Sequence, residues 1–141
     1  YREMAEALGI GSRVTFTGPL PGKDLPGVYA AADGYAMVSQ FDTFGMVVLE
    51  AMAAALPVLV SDRVGAKDLV AEGINGWVVP AAAGPGEIAR KLALLLDPEV
   101  GERMGRAARE TAQAHGWDRT AAAVGALYEE LLRPRGGAGT V

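Results

Sequence analysis

The segment Ser39-Gln40-Phe41-Asp42-Thr43-Phe44-Gly45-Met46-Val47-Val48-Leu49-Glu50-Ala51-Met52-Ala53-Ala54-Ala55-Leu56-Pro57 decides how this chain reads. It joins two short apolar runs, Tyr35–Val38 and Pro57–Val60, through a turn and a helix expected over Gly45–Leu56. Short apolar runs alternating with helices indicate a parallel α/β sheet, and runs apolar throughout suit strands covered on both faces. Glu50 is the single polar side chain of the helix. A helix apolar all round is a buried helix, and an ionised carboxylate inside it needs a partner. Arg63 or Lys67, backbone donors, or the hydroxyls of a ligand could supply one. A ribose diol suits a carboxylate, since two adjacent hydroxyls can donate to its two oxygens. At the head of the helix Asp42 and Thr43 have N-cap chemistry, and Gly45 lets a ligand approach the backbone closely. The open N–H groups of Phe44 to Val47, with the positive end of the helix dipole, form an anion site. Anion site and carboxylate then lie about one helical turn apart, the scale of a ribose–phosphate unit.

Working outward, Tyr1–Leu8 has a helical pattern ended by Gly9, and Val14–Thr17 reads as a strand closed by Gly18-Pro19. A short helix is expected over Leu25–Ala32, another over Lys67–Glu72 stopped by Gly73, and a strand over Gly76–Val79 stopped by Pro80. Three helices follow, over Glu87–Leu96, Glu99–His115 and Arg119–Leu132, and the Gly-rich stretch 133–141 is expected to fray as a flexible tail. In open α/β sheets ligands bind beyond the carboxyl ends of the strands. The segments that matter are therefore Gly18–Lys23, Ser39–Gly45, Ser61–Lys67 and Pro80–Gly84.

Composition sets the outer limits. With 141 residues, half of them hydrophobic, the chain has the size of one domain and too much apolar content for general disorder. It has no cysteine and one histidine, which excludes disulfide scaffolds, thiolate chemistry and any multi-histidine metal centre within these residues. The formal charge of −4 offers no footprint for nucleic acid, and no apolar run is long enough to span a bilayer. Tyr1 stands in what reads as mid-helix, so a piece of a larger protein is expected.

Asp42-x-Phe44-Gly45-x-x-x-Leu49-Glu50-Ala51-Met52-Ala53, followed by Leu56-Pro57-Val58, resembles the acidic-x7-Glu segment of retaining GT-B glycosyltransferases of group 1 (family 4). The remainder fits in order: Arg13 to Gly18, Tyr29 to Asp33, Ser39, Val64 to Asp68, Glu72-Gly73-Ile74-Asn75-Gly76, and Trp117-Asp118-Arg119. The resemblance covers nearly the whole chain.

It implies a partial Rossmann-like, doubly wound parallel sheet over residues 1–132, the C-terminal donor-binding domain of a hexosyltransferase-type enzyme. The ligand would be a nucleotide-diphosphate sugar, with no metal and no other cofactor. Asp42 and Glu50 would be the catalytic carboxylates, Glu50 on the ribose hydroxyls. Backbone N–H groups of Met46, Val47 and Val48 would hold the distal phosphate. Phe44 and Gly45, with the Asp42 side chain, would face the transferred sugar, and Gly18 would sit by the base. Two positions depart from the family pattern: Asp42 where Glu is usual, one methylene shorter, and Ala55 where Gly usually ends the helix.

In the family's strand order 3-2-1-4-5-6 this chain would keep strands three to six and lack the central pair. The basic diphosphate-binding pair and the N-terminal acceptor domain would be missing too. The expected consequences are an inactive fragment, an open edge at Tyr35–Val38 and self-association or strand swapping. The acceptor, whether glycan, lipid or small molecule, is undefined. Two other readings stand beside this one: a GT-B epimerase or phosphorylase, and a non-catalytic nucleotide-binding or oligomerising module. The location implied is cytoplasmic, with the basic stripe Arg103, Arg106 and Arg109 either a solvated face or a peripheral contact with the inner face of the membrane. His115 is expected to decorate a helix C-terminus, Trp117 and Tyr128 to pack between helices, and Val124, Leu127 and Leu131 to be left exposed.

Overall fold

The computed structural model describes residues 1–133, and the fraying assigned to the tail falls almost wholly outside them. The chain divides into two units, Tyr1–Ala31 and the residues from Ala32 onward.

In the first unit, α1 (Arg2–Ala7) ends in a full Schellman motif. Ile10 N–H donates to the Ala5 carbonyl at 2.9 Å and Gly9 N–H to the Glu6 carbonyl at 2.9 Å, with Gly9 left-handed at φ +69°. A 3-10 turn follows at Gly11–Arg13, and α2 spans Leu25–Ala30 with Pro26 in its first turn, where a missing N–H costs nothing. Val14–Thr17 does not form a strand. Its β-branched and aromatic residues favour extended backbone, but a strand exists only through pairing, and no described segment pairs with it.

The second unit holds a three-stranded parallel sheet, β1 (Tyr35–Met37), β2 (Val58–Ser61) and β3 (Gly76–Val79), in that spatial order. Tyr35 pairs with Val58 and Val58 with Gly76. This is the run of neighbours expected for the last three strands of the 3-2-1-4-5-6 order. All four residues of central β2 are buried, whereas edge strand β1 leaves Ala36 exposed.

Alternation along the strands sorts the two faces. On one, Leu59 and Val79 pack with Leu95 of α4 (Pro85–Leu95) and Met104 of α5 (Pro98–Ala114), with Val38 and Trp77 beside them. On the other lies α3 (Met46–Ala53), which buries Val48, Ala51 and Met52 at i, i+3 and i+4. The sheet is therefore covered on both sides. α5 starts at a well-made cap: Asp97 Oδ1 accepts from Glu99 and Val100 N–H, each at 3.1 Å, with Pro98 next in sequence. Buried Asn75 joins the approach to β3 to α5. Its Oδ1 accepts from Ala71 N–H at 2.8 Å, and its Nδ2 donates to the Leu69 carbonyl and to Thr111 Oγ1, both at 3.0 Å.

Three expectations need correcting. The helix placed at Lys67–Glu72 is a 3-10 segment at Gly65–Leu69, ended by extended Val70 before a full α-helical turn can close. Trp117 is 77% exposed and Tyr128 62%, because α6 (Trp117–Leu132) buries no residue at all. Val124, Leu127 and Leu131 are exposed as expected. Glu50 is exposed rather than buried, because α3 has an uncovered flank where Met46 and Val47, and Phe44 just before the helix, are exposed too.

α3 ends in the same Schellman arrangement as α1. Leu56 N–H donates to the Ala51 carbonyl at 3.1 Å and Ala55 N–H to the Met52 carbonyl at 3.0 Å. Here the left-handed residue is Ala55, at φ +62°, among the described residues the one non-glycine with positive φ. Its Cβ is strained against the following carbonyl. Ala55→Gly is accordingly expected to stabilise the chain by about 0.5–1 kcal/mol, net of the added freedom of the unfolded chain. Chemical denaturation checks it: a higher midpoint at unchanged slope is the expected result.

Candidate functional site

Three post-strand loops meet at the C-terminal edge of the sheet and are joined by side-chain and backbone hydrogen bonds. Ser61 Oγ, at the end of β2, donates to the Ser39 carbonyl in the loop after β1. Gln40 Nε2 donates to the Ala81 carbonyl at 2.9 Å, and Ala81 N–H donates to Asp62 Oδ1 at 2.9 Å, tying in the loop after β3. Between the first two loops Asp42 forms a parallel bridge with Val64. Asp42 N–H donates to the Arg63 carbonyl at 3.1 Å, Gly65 N–H to the Asp42 carbonyl at 3.2 Å, and Ala66 N–H to the Phe44 carbonyl at 2.5 Å. The approach is so close that a Cβ on Gly65 would lie 2.3 Å from the Thr43 carbonyl oxygen. Only a residue without a side chain fits there.

This frame sets the head of α3. Gly45 is its N-cap, buried and left-handed at φ +84°, with the space of a Cβ taken by Val64 Cγ1 at 2.8 Å. Asp42 is not the N-cap: it lies three residues upstream of Gly45, and its Oδ1 accepts from Phe44 N–H at 3.0 Å in an Asx turn. Thr43 makes no side-chain cap either. Val48 N–H is already taken by the Gly45 carbonyl at 2.8 Å, so the first turn is tightened. Of the N–H groups from Phe44 to Val48, those of Gly45, Met46 and Val47 are left without a partner among the described residues. Three donors and a helix dipole point out beyond the strands.

Around this head stand two carboxylates. Asp42 is half-buried at the turn, and Glu50 is exposed one helical turn beyond Met46. The recorded ion pairs of Arg63 and Lys67 are with their sequence neighbours Asp62 and Asp68, each at 3.9 Å. Glu50 is also on the wall of a cleft of about 630 Å³, with Phe44, Met46 and Leu49 on its side and His115 and Trp117 opposite. His115 Nδ1 donates to the Thr111 carbonyl at 2.8 Å, which makes it a helix-end residue as expected.

Sequence reading missed two members. Tyr35 on β1 is half-buried, and its phenol is pushed above its ordinary value by burial, then by the charges of Glu50 and Asp42. Both carboxylates reach this phenol electrostatically, which makes Tyr35 a candidate member of the site, and the signal was there: it is the polar tip in an otherwise apolar strand. Gly65 stood inside the matching stretch Val64 to Asp68, but without a role, since its role depends on a loop some twenty residues away. Gly18, at φ +64°, belongs to the first unit.

A parallel α/β sheet with an open helix N-terminus at the strand ends is the architecture of nucleotide-binding domains. The chain belongs to the glycosyl transferases group 1 family, whose profile matches residues 1–111. It is 41% identical over 133 residues to the D-inositol 3-phosphate glycosyltransferase of Corynebacterium glutamicum (strain R), covering 94% of this chain and 32% of that protein. Among solved structures it is similar to sucrose-phosphate synthase from Thermosynechococcus elongatus, with a TM-score of 0.84 and 31% identity over 92% of this chain and 33% of that one. It is also similar to Anabaena Alr3699/HepE, solved in complex with UDP-glucose, with a TM-score of 0.70 and 27% identity over 79% of this chain and 30% of that one. The chain thus spans about a third of the length of these relatives. Among the described residues no helix is long and apolar enough to cross a membrane.

Proposed function

We propose that this chain forms the donor-binding part of a retaining glycosyltransferase and holds a nucleotide-diphosphate sugar at the head of α3. The observation that carries the reading is the cluster of three unpartnered N–H groups, at Gly45, Met46 and Val47, flanked by the carboxylates of Asp42 and Glu50. The N–H groups and the helix dipole offset the charge of the diphosphate, which grows as the sugar–phosphate bond breaks, so stabilisation falls where charge develops. Glu50, one turn along, receives the ribose hydroxyls. Asp42, held by Phe44 N–H, faces the sugar. Val48 contributes by closing the first turn rather than by offering its N–H. The similarity to a protein solved with UDP-glucose supports a donor of that class.

Transfer is assigned to a protein of the relatives' length, with the acceptor bound elsewhere. The 141-residue chain is expected to bind donor without turning it over. Titration calorimetry with UDP, GDP and ADP and their glucose conjugates tests this. Saturable binding of one of the three with Kd below about 1 mM is the expected result. No heat from any of them at several millimolar overturns the donor site, and donor-dependent transfer by the chain alone overturns the assignment of turnover to the longer protein.

A further inference from the structure

We propose that Tyr35 is a positioning residue for Glu50: its hydroxyl hydrogen-bonds that carboxylate, directly or through one water, and fixes the orientation in which it receives a ligand diol. The proposal rests on the donor reading above for the identity of the diol, and on the strand and helix geometry for the pairing itself.

The geometry is read along β1. Met37 lies under the head of α3, its Sδ 3.6 Å from where a Gly45 Cβ would stand. Residues two apart on a strand share a face, so Tyr35 lies on the α3 side of the sheet as well. It is about 6.6 Å further back along the strand. A helix returning between parallel strands runs against them, and at a rise of about 1.5 Å per residue that distance corresponds to about four residues beyond Gly45. That is the level of Leu49 and Glu50. The parallel register fixes this level, because Tyr35 pairs with Val58 and its N–H donates to the Pro57 carbonyl at 3.0 Å.

The phenol is also in the right protonation state. Its partial burial and the nearby charges of Glu50 and Asp42 keep the proton on oxygen well into the alkaline range, so it acts as a donor at neutral pH. Asp42 and Glu50 are the two titratable groups whose fields reach it, with Glu50 the stronger. Phenylalanine at this position would fill the same volume and lose only the hydroxyl, which separates positioning from packing.

Two measurements on the 141-residue chain decide the matter. In the first, the chain is labelled with [13Cζ]tyrosine, the Tyr35 resonance is assigned by its absence in Tyr35→Phe, and its ionisation is followed by NMR. Glu50→Gln is expected to move the Tyr35 midpoint down, and an unmoved midpoint overturns the pairing. In the second, calorimetry compares the preferred nucleoside diphosphate with its 2′,3′-dideoxy form. Tyr35→Phe is expected to weaken the first about 3- to 10-fold and to leave the second unchanged. Equal affinity of variant and wild type for the first, or an equal loss on both, overturns positioning. A wild-type chain that binds no nucleotide overturns the donor reading instead, and the NMR titration then decides the Tyr35–Glu50 pair by itself.

Discussion

Replacing Glu50 by alanine is expected to weaken nucleotide binding about a hundredfold while lowering the Tm of the chain by no more than a few degrees. A carboxylate accepting from two vicinal hydroxyls makes two charge-assisted hydrogen bonds, and losing both amounts to about 3 kcal/mol, or roughly two powers of ten in Kd. The insensitivity of the fold has a separate origin. Glu50 is exposed, off the stripe of Val48, Ala51 and Met52 that holds α3 to the rest of the unit. Alanine has higher helix propensity than glutamate, which offsets part of the hydrogen bond from Tyr35 proposed above, and no apolar core contact is removed. Calorimetry and a melting curve on the same sample separate the two effects. An unchanged Kd sinks the role given to Glu50. A large drop in Tm would mean that the carboxylate is structural.

The second large effect is expected at Gly65. A methyl group there would lie 2.3 Å from the Thr43 carbonyl oxygen and 2.9 Å from Phe44 Cα, both backbone atoms that cannot swing aside. Gly65→Ala must therefore push the loop after β2 away from the loop after β1. The hydrogen bonds from Gly65 and Ala66 N–H to the Asp42 and Phe44 carbonyls go with it. Overpacking of this kind costs about 1–3 kcal/mol, and the displaced segment carries Asp42 and Phe44 at the head of α3. Stability and nucleotide affinity should fall together, with Tm lower by several degrees and Kd raised at least about tenfold if one charge-assisted contact is lost. Unchanged binding in a folded Gly65→Ala chain would show that the loop junction does not set the site.

These two residues also mark what could and could not be read from sequence. The three strands were legible because each is an apolar run bounded by Ser, Pro or Gly, and pattern and burial agree at Val58–Ser61. The helices after Gly84 were legible for the same local reason. Val14–Thr17 has the composition of a strand, but composition cannot supply the neighbour that pairing requires. α3 misled in the opposite sense. Its apolar residues run all the way round, and sequence cannot say which flank stays uncovered, so Glu50 was expected inside and stands outside. At the site, the acidic-x7-Glu spacing located Asp42 and Glu50. It could not show that Phe44 and Val48 N–H are already occupied, since that depends on the Asx turn and on a tightened first turn. Tyr35 and Gly65 enter through contacts between segments far apart in the chain.

The order β1-β2-β3 has a consequence for how this unit comes together during synthesis. Each strand pairs only with the one made just before or just after it, Tyr35 with Val58 and Val58 with Gly76. Each pairing closes a loop of about twenty residues, and closure entropy grows only slowly with length. The sheet can therefore grow in the direction of translation, each new strand docking on an edge already presented, with β2 sealed on both sides once Val79 has emerged. Parallel sheets are ordinarily slow to assemble because their contacts are distant in sequence. Here the topology keeps every strand pairing nearly local, and the long-range step is the arrival of α4 and α5, whose Leu95 and Met104 close the core on Leu59 and Val79.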